Sequence, residues 1–99
     1  MKIGIVGSGN IGGTAARLFV NAGHEVAIAN SRGPETLEDL VAELGDRARA
    51  ATPEQAVDFG EAVLLAIPWR LREQLPDAQL FEGKVTIDAM NPYGEENSK

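Results

Sequence analysis

The first thirteen residues, MKIGIVGSGNIGG, constrain the fold of this chain more than any other stretch. A short apolar run, Ile3 to Val6, leads directly into the glycine-rich segment Gly7-Ser8-Gly9-Asn10-Ile11-Gly12. The apolar residues after it recur at helical spacing: Ile11, Ala15, Leu18, Phe19 and Ala22. A G-x-G-x-x-G pattern between a strand and a helix predicts a dinucleotide-binding site. The alternative is a glycine turn used only for packing.

Each glycine of this pattern has a distinct expected role. Gly7 would permit the tight turn, Gly9 would let backbone N–H groups approach a pyrophosphate, and Gly12 would let the helix pack closely on the strand. The helix N-terminus carries partial positive charge and unpaired N–H groups, so an anion is expected there. Ser8, Asn10 and Thr14 border the same turn.

The rest of the chain alternates strands and helices. We predict strands at 26–29, 47–51, 62–67 and 85–89, and helices at 34–44, 52–60 and 69–75, with a connection at 77–83. Gly23 and Gly45 are expected to end the first two helices. Thr52 and Gln55 predict a capping box. The pattern predicts an α/β fold, a Rossmann-type doubly wound parallel sheet of five strands in the order 3-2-1-4-5. It assigns residues 1–94 to one domain and 95–99 to a polar tail.

The loop after the second strand predicts which nicotinamide cofactor is preferred. NAD-selective folds place an acidic residue about 20 positions past the fingerprint, where it binds the ribose 2′-hydroxyl. This chain has Asn30, Ser31 and Arg32 there. An amide does not repel a 2′-phosphate, and an arginine matches its oxygens. The loop therefore predicts NADP(H) rather than NAD(H); a solvated arginine without a role is the alternative.

The remaining candidate residues are less specific. Trp69 could border the nicotinamide or cap the core, and Asn91 could face the crevice at the end of strand five. His24 is expected in a turn far from the crevice, and Asp88 is expected to be buried in a structural hydrogen bond. The sequence shows no metal-ligand cluster and no activated nucleophile. Hydride transfer needs neither, because the cofactor supplies the chemistry.

Composition excludes several classes of function. The 99 residues contain no cysteine, which excludes disulfides and thiolate chemistry. The net charge of −6 argues against a nucleic-acid partner. The sequence has no apolar stretch long enough to span a membrane and leaves no room for a signal peptide, so we expect a cytoplasmic protein. Strand five should be a bare edge. A partner subunit, a missing second domain or a shortened chain would each explain it, and a homo-oligomer is favoured.

Five segments together resemble one family: the glycine turn at 7–12, GHEV at 23–26, NSR at 30–32, AIPW at 66–69 and DAMNP at 88–92. They resemble the N-terminal domain of the coenzyme F420-dependent NADP oxidoreductases. The resemblance covers about residues 1 to 94.

The resemblance implies a Rossmann fold that binds NADP(H), with the pyrophosphate over Ser8 to Ile11 and the 2′-phosphate at Ser31 and Arg32. Ile67 and Pro68 would lie near the nicotinamide ribose. It also implies hydride exchange with a small-molecule partner such as F420. Family members carry a C-terminal portion that these residues do not include. A non-catalytic NADPH-binding module and a piece of a longer reductase are therefore the alternatives.

Overall fold

Uninterrupted apolar runs form the central strands of a parallel sheet. The computed structural model describes residues 1–7, 10–30, 33–66 and 78–88. In these residues, all four strand pairings are parallel, and the strand order is β3-β2-β1-β4-β5. Both the fold class and the strand order predicted from the sequence are confirmed.

The elements alternate along the chain as expected. The strands are β1 (Lys2–Val6), β2 (Glu25–Ala29), β3 (Ala48–Ala51), β4 (Ala62–Leu65) and β5 (Val85–Asp88). The α-helices are α1 (Asn10–Asn21), α2 (Glu38–Leu44) and α3 (Pro53–Phe59), and two 3-10 helices cover Pro34–Leu37 and Ala78–Phe81.

The register of the central strands aligns their ends. Val6 of β1 lies opposite Ala29 of β2 on one side and Leu65 of β4 on the other. The carboxyl ends of these three strands therefore meet at one edge of the sheet. β1 pairs with β2 on one side and with β4 on the other, so the direction in which the chain adds strands reverses at β1. In doubly wound folds, the crevice for a ligand lies at the carboxyl edge of this point.

Alternate residues of the central strands face two apolar layers. One layer is built around fully buried side chains of β1 and β2, Ile5 and Ile28, and partly buried residues of α1 and α2 pack against it. The other layer contains Val57 of α3 with Val6, Val63 and Leu65 of the sheet. Burial of an aliphatic side chain contributes about 1.5–3 kcal/mol to the stability of the fold. These two layers therefore stabilise the sheet and hold the carboxyl ends of its central strands in place.

One helix prediction needs correction. Residues 34–44 were expected to form one helix, but a 3-10 helix precedes α2. The backbone N–H of Thr36 donates to the carbonyl of Gly33 at 3.2 Å, and the Thr36 hydroxyl donates to the same oxygen at 2.7 Å. These bonds favour the tighter turn. The connection predicted at 77–83 contains the second 3-10 helix.

The predicted ends of the first two helices are confirmed. Gly23 and Gly45 have φ values of 93° and 92°, in the left-handed region where glycine is favoured. Their N–H groups donate to the carbonyls of Val20 and Val41, both at 3.0 Å.

Several predictions lie outside the described residues. They are the helix at 69–75, the last residues of strands four and five, the turn at 91–94 and the tail at 95–99. Within the described part of the chain, no helix has the length and apolarity required to cross a membrane.

Candidate functional site

The turn after β1 has the backbone conformation predicted for the first glycine of the fingerprint. Gly7 has a φ of 116°, which L-residues with a side chain rarely adopt. Its N–H donates to the carbonyl oxygen of Ala29 at 2.6 Å, so the turn is tied to the end of β2. The start of α1 at Asn10 follows within three residues. The chain therefore reverses from strand to helix at the carboxyl edge of the sheet.

Gly12 brings α1 into direct contact with this turn. A Cβ atom on Gly12 would overlap the carbonyl oxygen of Gly7 and would lie 2.8 Å from its carbonyl carbon. Only a glycine permits this approach, so the close packing expected at Gly12 is present. The first turn of α1 contains no acidic residue. No carboxylate of that turn therefore opposes an anion at the helix N-terminus.

The side chain of Asn30, the residue after β2, is hydrogen-bonded to Gly33 and Thr36. Asn30 is only 7% exposed although its side chain is polar. Its Oδ1 accepts the backbone N–H of Gly33 at 2.9 Å, and its Nδ2 donates to the Thr36 hydroxyl at 2.8 Å. Because the backbone N–H can only donate, the orientation of the amide is defined. The described contacts of Asn30 thus join the end of β2 to the 3-10 helix at Pro34–Leu37, while its predicted contact with a cofactor stays a prediction.

Thr36 is a functional candidate that the sequence reasoning missed. Its hydroxyl links the Asn30 amide to the Gly33 carbonyl, and it stands in a 3-10 helix rather than in the predicted α-helix. The spacing of an Asn, a Gly three residues later and a Thr three residues after that was the available signal. Short polar side chains at such spacing bond nearby backbone groups and shape turns.

The described part of this edge fits a dinucleotide. A Cβ on Gly12 would fill the space beside the Gly7 carbonyl, and Asn30, the residue that follows β2, is a neutral amide instead of the carboxylate that selects NAD. Other predicted site residues lie outside the described residues, namely Ser8, Gly9, Ser31, Arg32, Ile67, Pro68, Trp69 and Asn91. For Asn10 and Ile11, the described feature is their helical backbone in α1.

At the opposite edge of the sheet, the side chains of His24 and Lys84 make contacts within the fold. His24 precedes β2; its Nδ1 lies 3.2 Å from the N-terminal amine, and its ring lies edge-on to Phe19. This confirms the turn position expected for His24. The Lys84 ammonium donates to the carbonyls of Gly60 at 2.6 Å and Asp58 at 3.2 Å, where α3 ends.

The expectation of a buried Asp88 is wrong. All four residues of β5 are exposed, Asp88 among them. Among the described residues, the buried apolar clusters include no residue of β5, so no buried layer covers the strand that carries Asp88.

These features define the class: the chain is a Rossmann-type dinucleotide-binding domain. Residues 2–92 match the family described as "NADP oxidoreductase coenzyme F420-dependent", and the chain belongs to that family. The resemblance stated from the sequence is thereby confirmed.

Solved structures show the same fold. A hypothetical protein from Sinorhizobium meliloti is 30% identical, with a TM-score of 0.73 over 92% of this chain and 44% of its own. A protein from Arthrobacter sp. FB24, provisionally named an F420-dependent NADP reductase, is 26% identical, with a TM-score of 0.81 over 93% of this chain and 46% of its own. An imine reductase from Myxococcus stipitatus in complex with NADP+ is 20% identical, with a TM-score of 0.73 over 99% of this chain and 36% of its own, and it shows the fold alone. The chain thus spans less than half the length of these structures. A comparison with curated proteins finds no significant match.

Proposed function

We propose that this chain binds NADP(H) and that the bound nicotinamide exchanges hydride with coenzyme F420 or with another flavin-like or small-molecule partner. The observation that carries the proposal is the close approach of Gly12 to the Gly7 turn, at the carboxyl end of β1, in a family of NADP oxidoreductases. The nicotinamide supplies the hydride chemistry, and the protein binds and orients it.

The proposed cofactor contacts fall into three groups of residues: one for the pyrophosphate, one for the 2′-phosphate and one for the nicotinamide. The pyrophosphate lies over Ser8 to Ile11, where the N–H groups that open α1 have no intrahelical partner. The 2′-phosphate binds Ser31 and Arg32. The nicotinamide end is positioned by the residues at the ends of strands four and five: Ile67, Pro68, Trp69 and Asn91.

The first test asks whether Arg32 binds the 2′-phosphate, which NADPH carries and NADH lacks. Wild-type protein is titrated calorimetrically with NADPH and with NADH at one salt concentration. Arg32→Ala should weaken NADPH by about 10- to 100-fold, because a hydrogen bond to a charged group contributes roughly 1.5–3 kcal/mol. NADH, which lacks the 2′-phosphate, should change little. Equal losses for both cofactors would contradict the phosphate assignment.

Arg47→Ala is a matched control for the loss of positive charge. Arg47 donates to the carbonyl of Gly23 at 3.1 Å, next to the amino end of β2 and on the opposite edge of the sheet. This variant removes the same charge from the acidic protein and should leave the ratio of NADPH to NADH affinity unchanged. A parallel shift in both arginine variants would mean that net charge, not a phosphate contact, sets the preference.

An NADPH-binding or sensing module without turnover is the alternative that the sequence leaves open. Reduced F420 mixed with NADP+ distinguishes the two candidates. Formation of NADPH supports the oxidoreductase. Tight NADPH binding without turnover of F420 or of any screened acceptor supports the binding module.

A further inference from the structure

We draw no further inference here: the strongest candidate among the described residues, the open groove of about 550 Å³ between the end of α3 and the start of β5, selects no ligand, because the Lys84 ammonium already donates to the carbonyls of Asp58 and Gly60 and the other charged side chains that line it are exposed and of both signs.

Discussion

Gly12 shows how one missing Cβ can determine a contact of the fold beside the proposed cofactor site. A methyl group there would overlap the carbonyl oxygen of Gly7, so Gly12→Ala must move either α1 or the turn. Because NADPH and NADH share the pyrophosphate, we expect Gly12→Ala to weaken both by the same factor. Titration with each cofactor measures this. The expected pattern is the opposite of that for Arg32→Ala.

Gly4→Ala is the control for the destabilisation that accompanies such a change. A Cβ on Gly4 would overlap the carbonyl oxygen of Ala56, which places the conflict between β1 and α3, away from the glycine turn. Overpacking typically costs about 1–3 kcal/mol, and both variants should melt at lower temperature. If Gly4→Ala loses cofactor binding as completely as Gly12→Ala, the loss reflects general instability rather than the pyrophosphate turn.

At the scale of elements, α3 depends on a local cap. The Thr52 hydroxyl accepts the N–H of Gln55 at 3.2 Å, and the Gln55 side chain accepts the N–H of Thr52 at 3.0 Å. Thr52→Ala should lower the free energy of unfolding by about 1 kcal/mol, measured by urea denaturation. Thr52→Ser retains the hydroxyl and should recover most of the loss. Equal stability of Thr52→Ala and wild type would show that packing alone holds α3.

Elements with a complete local signal were predictable from the sequence. The capping box at Thr52 and Gln55 needs only residues within one turn, and the structure contains both of its hydrogen bonds. The buried strands β1 and β2 were predictable because strands covered on both faces are apolar without alternation. The order of the strands followed from the connection of these units by helices.

Features that depend on a network of side-chain hydrogen bonds, or on what covers a strand, were not predictable in the same way. The 3-10 helix at Pro34–Leu37 replaces the first turn of a helix because the Thr36 hydroxyl competes for the Gly33 carbonyl. The role of Asn30 within the loop depends on that same Thr36. The exposure of Asp88 depends on what covers β5, which no local pattern specifies.

At the scale of the whole molecule, one apolar face of the sheet is buried at β4 and exposed at β5. Ile87 of β5 lies opposite Leu64 of β4 in the register, so both side chains are on the same face. Leu64 is 6% exposed, whereas Ile87 is 49% exposed and Val85 is 65% exposed. An exposed apolar face next to a sheet edge is a surface that favours association.

We expect a second copy of this chain to cover that face, which makes the oligomeric state the last test. Sedimentation of wild-type protein should show a dimer that dissociates on dilution. Ile87→Lys should shift it to a monomer, because association would bury an unpaired charge. Thr86→Lys places the same charge on the opposite face of β5 and should leave the dimer intact. A wild type that is monomeric at every concentration would contradict association through β5, and so would a dimer that persists in Ile87→Lys.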